Sequence, residues 1–253
     1  MGRKSTKRIF LSHDGAVDDL MALALLAVEP SVELAGVSLV NGDCLAEPTL
    51  LAQAKLLKLL GREDVGWSLS QARAFNAFPW EYRGDCVGLL ELLRGVEAPS
   101  PGPPFPDGES HLAEELRAGP LTLVATGPLT PLQLVLEAEP KLESNVERVV
   151  WMGGAIDAPG NLDPETLPAA AVNPHAEWNA YWDPFAVDWV FRHTSVPLTL
   201  APLDVSDAAP VSGAFIARLR EAQTPLAQLA AQAYAMVADQ PFYRLWDVVA
   251  ASA

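Results

Sequence analysis

The chain has 253 residues, half of them hydrophobic and 19% charged, a balance that excludes a disordered protein and is enough for a full core. Its net charge of −15 argues against nucleic acid or an anionic membrane surface as a partner. No apolar run reaches the roughly 18 residues of a membrane span, and the basic stretch 1–8 is followed by no signal-peptide core. Two cysteines, Cys44 and Cys86, stand outside any CxxC pair, which suits a reducing cytoplasm, the expected compartment, and argues against a zinc site.

Taken in order, residues 9–11 (Ile-Phe-Leu) read as a short buried strand and residues 20–28, rich in Leu and Ala, as a helix. Residues 32–39 read as a second strand and 48–60 as a second helix, stopped at Gly61. The aromatic stretch 75–83 reads as a loop, either a wall or lid over a ligand or a surface loop docked by its rings. Residues 97–108 and 157–174 are loops by their Pro and Gly content. Between them lie a strand at 121–125, a helix at 131–139 stopped by Pro140, and a strand at 148–152. A helix at 184–192 and a strand at 196–201 follow. This β-α alternation predicts an α/β fold with a mostly parallel central sheet and helices on both faces, one domain over 1–253.

Ligands of such sheets bind at the carboxyl ends of the strands. Polar clusters stand there: Ser12 to Asp19, Asn41-Gly42-Asp43, Thr126-Gly127, and Met152-Gly153-Gly154. The first is the most informative, since Asp14, Asp18 and Asp19 crowd into one strand-to-helix turn. Carboxylates this close raise one another's pKa, and a hard cation with oxygen ligands relieves the repulsion. The turn therefore reads as the floor of a divalent-metal site. No GxxxxGK[ST] motif is present.

The turn Asp14-Gly15-Ala16-Val17-Asp18-Asp19 resembles the acidic fingerprint of the nucleoside hydrolases, the inosine-uridine preferring group and its relatives. Further segments fall in that family's order: Thr126-Gly127-Pro128-Leu129-Thr130, then Trp151-Met152-Gly153-Gly154 with Gly160-Asn161. Ala176-Glu177-Trp178-Asn179 with Asp183-Pro184, and finally Trp246-Asp247, complete the set. The match is nearest to a divergent branch with a His-Asp-Gly-Ala-Val-Asp-Asp turn. The resemblance implies calcium-dependent hydrolysis of the N-glycosidic bond of ribonucleosides or related N-ribosides, giving ribose and free base. It also implies a homodimer or homotetramer and a role in purine or pyrimidine salvage. Asp14, Asp19 and Asp247 would bind Ca2+ by carboxylate and Thr126 by its backbone carbonyl, with Asp14 also the general base. Asp18, Asn161, Glu177 and Asn179 would hold the ribose hydroxyls, Met152 would line the sugar pocket, and either Asn41 or Asp43 would face the ribose. Trp178 and Trp246 flank the site and can stack on a base.

The chain departs from the family at several points. Ser12 stands where an aspartate is usual, Gly15-Ala16 where Pro-Gly is usual, and Trp246 where a histidine is thought to help protonate the leaving base in some members. Family members also continue further beyond the last motif. Tyr243, Arg244 or His175 are substitutes for that histidine; so is proton help from solvent.

Plainer readings stand beside these. Asp18 and Asp19 suit a cap of the first helix, Asp247 a helix start, Thr126 and Gly153-Gly154 turns, and Glu177 and Asn179 an exposed loop. His13 alternates with Ser12 and Asp14, so it supports the site rather than ligating; His111 and His193 read as structural and His175 as a surface residue. Two other classes stay open: a non-catalytic calcium- and ribose-binding protein, and a metal-dependent phosphohydrolase. The second lacks a Lys/Arg-rich phosphate cradle at any strand end.

Overall fold

Strand β1 (Lys7–His13) sends Ile9 and Leu11 into one hydrophobic core and Phe10 into another, so its two faces are both covered. In the computed structural model, which describes residues 6–76, 83–99, 103–162 and 172–253, this strand sits at the middle of a six-stranded sheet. The other strands of the sheet are β2 (Val32–Leu39), β3 (Gly66–Leu69), β4 (Leu121–Ala125), β5 (Val146–Met152) and β6 (Leu198–Ala201). The order is β3-β2-β1-β4-β5-β6, and every pairing within it is parallel. The chain reverses direction across the sheet between β1 and β4, the switch point where such sheets open a crevice.

One face is covered by α1 (Val17–Val28), α2 (Ala46–Leu59) and α3 (Asp85–Leu92), joined by α9 (Gly213–Glu221), α10 (Pro225–Ala235) and α11 (Trp246–Ala251). The other face carries α4 (Gly108–Ala118), α5 (Thr130–Ala138) and α7 (Pro184–His193). The alternation holds along β4 and β5: Leu123 and Val149 enter the second core, Val124 and Val150 the first. Two short helices, α6 (Trp178–Trp182) and α8 (Leu203–Ser206), follow the loops at the ends of β5 and β6. Among the described residues no helix is long and apolar enough to cross a membrane.

The predicted α/β sheet with helices on both faces is the observed one, with differences at its ends. β1 runs beyond residues 9–11 in both directions, and α2 starts two residues before Pro48, because proline is tolerated in a first helical turn. β3, α3, α4, α6 and α8 to α11 are additional to the elements expected. Residues 77–82 of the aromatic stretch and 163–171 of the second Pro/Gly-rich stretch lie outside the described residues.

Candidate active site

The turn after β1 is shaped by its own chemistry. Gly15 has φ +101°, and a Cβ there would meet Thr49 Cγ2 at 2.6 Å, so the position requires glycine. Asp19 Oδ2 accepts from the amides of Gly15 (2.9 Å) and Ala16 (2.7 Å), closing the start of α1 from within. Its other oxygen accepts from Thr126 Oγ1 at 2.5 Å, tying α1 to the end of β4. Asp14 Oδ2 accepts from the amide of Asp43 at 3.2 Å, and a Cβ on Gly42 would come within 2.7 Å of that carboxylate. The β1 and β2 loops therefore pack directly on Asp14.

Asp18 faces elsewhere. Its carboxylate accepts from the Tyr234 hydroxyl, from the amide of Asp247 at 2.6 Å and from that of Val248 at 3.1 Å. It is fully buried and is not among the residues lining the cavity, so this geometry turns the side chain expected on the ribose onto the first turn of α11. That contact, spanning 229 residues of sequence, carries Asp247 to the acidic cluster.

The carboxylates act on one another. Burial pushes Asp14 and Asp247 well above the usual carboxylate range, with Asp19 the next largest cause for each. Asp43 is pushed up to about 8 by burial, then by Asp19 and Asp85, against the pull of Arg83. Burial also pushes Asp18 up to about 7, opposed by its hydrogen bonds to Tyr234 and α11. Asp14, Asp247 and the Thr126 carbonyl form an all-oxygen donor set that fits a hard cation, since a divalent charge would remove this repulsion. Among the described residues no group of three or more His, Cys, Asp or Glu stands at metal-ligand spacing. Asp19 is engaged by Gly15, Ala16 and Thr126, and the Thr126 carbonyl accepts from Asn179 Nδ2 at 3.3 Å.

Opposite the turn, Glu177 and Asn179 open α6 and do not lie in an exposed loop; both are buried. Glu177 caps the helix: Oε1 accepts from Asn179 N at 2.8 Å, and Oε2 from Ala180 N at 3.1 Å and Gly154 N at 2.9 Å. Burial raises its pKa, and these amide donors pull it back. Asn179 Nδ2 also donates to the Met152 carbonyl at 3.0 Å, and Asn161 Oδ1 accepts from Trp178 N at 3.1 Å.

A cavity of about 420 Å3 opens between these walls. It is lined by Asp14, Asp43, Thr126, Met152, Asn161, Glu177, Trp178, Asn179, Trp246 and Asp247 of the expected residues. Of the pair after β2, Asp43 lines the cavity, while Asn41 Oδ1 accepts from Arg83 Nη2 at 2.7 Å. Asp19 lies behind the wall, fully buried. His13 points away, 2.5 Å from Gln53 Oε1 on α2, and burial lowers its pKa. His175 is exposed and not among the lining residues. Asp85, Asp207, Gln240 and Phe242 line the cavity without having been singled out in the sequence; Tyr243 and Arg244 join them. The one available signal was the aromatic and basic run 242–244 just before Trp246-Asp247.

A cavity lined by both carboxylates and aromatic rings is suited to breaking a glycosidic bond to a flat leaving group. The chain belongs to the inosine-uridine preferring nucleoside hydrolase family, whose model matches residues 9–253. It is 32% identical over 234 residues to a pyrimidine-specific ribonucleoside hydrolase RihA of Shewanella woodyi, covering 89% of this chain and 69% of that protein. The RihA of Photobacterium profundum is 30% identical over 237 residues, covering 90% and 70%. The crystal structure of an inosine-uridine preferring nucleoside hydrolase from Bacillus anthracis superposes with a TM-score of 0.85 at 31% identity, covering 98% of this chain and 81% of that one. The protein is thus an N-glycosyl hydrolase of the nucleoside hydrolase family.

Proposed function

We propose that the protein hydrolyses the N-glycosidic bond of ribonucleosides in a calcium-dependent reaction that yields ribose and free base. The observation that carries this reading is a cavity lined by the buried carboxylates Asp14, Asp43 and Asp247, with Asp19 close behind them, and by the aromatic rings of Trp178, Phe242, Tyr243 and Trp246. Asp14, Asp19, Asp247 and the Thr126 carbonyl would hold the calcium. When bound, calcium supplies the positive charge that lets these carboxylates ionise together and makes water more acidic.

The rest is the work of the chain. Asp14 takes the proton from the attacking water. Glu177, its carboxylate fixed by three amide donors, accepts from a ribose hydroxyl. Asn161, Asn179 and Asp43 bind the remaining hydroxyl groups, and Met152 packs on the sugar. The carboxylates stabilise the oxocarbenium-like charge that develops on the ribose. Trp178 and Trp246 sandwich or flank the base. The pyrimidine-specific relatives make uridine and cytidine the first substrates to try. By the same family resemblance we place the protein in the cytoplasm as a homodimer or homotetramer, which sedimentation of the purified protein tests.

A phosphohydrolase is the poorer reading, because a phosphate in this cavity would meet six acidic side chains and one cation among the described lining residues. A non-catalytic binding protein predicts calcium and ribose binding without release of base. Assay of free ribose from uridine, cytidine, inosine and adenosine, with calcium and after chelation, separates these readings.

A further inference from the structure

Among the described residues, the aromatic side chains that line the cavity offer no group suited to giving a proton to the departing base at neutral pH. The Trp246 indole is not an acid, and its Nε1 is buried without a hydrogen-bond partner among the described residues. Burial pushes the Tyr243 hydroxyl well above its ordinary range, and that oxygen accepts from Asp18 N at 3.4 Å. What the cavity does hold is Arg244, the one cation among the described residues lining it.

Arg244 is set in place from both sides. An antiparallel bridge pairs it with Pro210, flanked by Val211 N to Tyr243 O (3.1 Å) and Leu245 N to Ala209 O (2.9 Å). Its Nη1 donates to the carbonyls of Pro241 (2.9 Å) and Tyr243 (3.2 Å). Its Nε lies 3.9 Å from Asp207 Oδ1, too far for a hydrogen bond, and is buried without an acceptor; Nη2 has no partner among the described residues. The guanidinium is therefore anchored by one nitrogen, with its charge only loosely countered. Asp85 also lines the cavity; burial raises its pKa, and a hydrogen bond from the Gln240 side chain pulls it back.

We propose that Arg244 is a catalytic residue that stabilises the negative charge on the leaving base, in place of a general acid. This rests on the reading that the cavity hydrolyses ribonucleosides. The C1′–N bond breaks with its electron pair passing to the base nitrogen. In a pyrimidine that charge spreads onto the carbonyl oxygen next to the broken bond, an acceptor for a guanidinium N–H. Water adds its oxygen to C1′ and gives its proton to Asp14, while the base anion takes a proton from solvent. An arginine is always charged, so it needs no tuned pKa for this work. The substrate class it favours is N-ribosides whose base carries a carbonyl oxygen beside the glycosidic nitrogen.

The test compares kcat/KM on uridine, whose leaving group needs help, with that on 4-nitrophenyl β-D-ribofuranoside, whose leaving group does not. Arg244→Gln is expected to lose about 100-fold on uridine, the effect of removing one charge-stabilising donor, and no more than a few-fold on the nitrophenyl riboside. Arg244→Lys is expected to recover part of the loss. Equal losses on both substrates would assign Arg244 a merely structural role and overturn the proposal. So would a selective loss on uridine in Asp85→Asn with none in Arg244→Gln, since Asp85 would then be the leaving-group acid. A wild-type protein inert on both substrates overturns the underlying hydrolase reading instead.

Discussion

Removing the Asp18 carboxylate should unfasten α11 from α1. The carboxylate takes hydrogen bonds from the Tyr234 hydroxyl and from the amides of Asp247 and Val248 at 2.6 and 3.1 Å, all inside the protein. Asp18→Ala orphans these buried donors, and each unsatisfied group costs about 1–3 kcal/mol. At neutral pH the side chain is only partly ionised, since burial holds its pKa at about 7, so the lower part of that range applies. The expected destabilisation is roughly 3–5 kcal/mol, a fall in Tm on the order of 10 °C for a chain of this size. Asp18→Asn should cost under about 1 kcal/mol, because its oxygen still accepts from both amides and the Tyr234 hydroxyl can rotate to accept from the new NH2 group. Thermal unfolding followed by circular dichroism, with KM for uridine measured on the same samples, checks both. A normal Tm in Asp18→Ala together with a KM raised tenfold or more in Asp18→Asn would refute the cap and place Asp18 on the substrate.

Asp14→Asn should lower turnover at least 1,000-fold while the protein still folds, because the base is lost and a source of repulsion is removed with it; turnover within tenfold of wild type would contradict the role given to Asp14. The pH dependence of stability should carry a signature of His111. This side chain is buried, stacked on Phe105 at 3.6 Å and hydrogen-bonded to Ser68 Oγ at 2.9 Å, and burial lowers its pKa to about 4. Because the folded-state pKa lies below the unfolded one, its contribution is complete above about pH 6.5 and is lost as pH falls toward 4, about 3 kcal/mol in all. His111→Asn, which can still meet Ser68, should lose less stability than wild type between pH 7 and pH 4. Parallel pH profiles of denaturant midpoints would dismiss this.

The sheet and its acidic turn were legible because both rest on local signals. Apolar runs of strand length alternate with Leu- and Ala-rich runs, and Gly15 with Asp14, Asp18 and Asp19 marks the turn at the end of β1. The aromatic lining was harder to read because it is made by contacts far apart in sequence. Helices α6, α8 and α11 have five, four and six residues, too short to show a periodic pattern or to be stable alone. Glu177 looked like a loop residue because its capping bonds reach back to Gly154 as well as forward into α6. Nothing local to Asp18 announces that it accepts from the first turn of a helix 229 residues away, so the sequence offered a cap of α1 or a contact to ribose and not the contact to α11. Arg244 is likewise fixed by backbone pairing with 209–211, which no sequence pattern marks.

Calcium-dependent attack of water on a ribonucleoside is the reaction proposed for the Asp14 cluster. Release of free ribose from uridine by the purified protein, measured with added calcium, after chelation and after calcium is restored, tests it most directly. The expected result is release that chelation abolishes and calcium restores. Release unaffected by chelation would contradict the metal role, and no release from any nucleoside by a calcium-loaded protein would contradict the hydrolase reading.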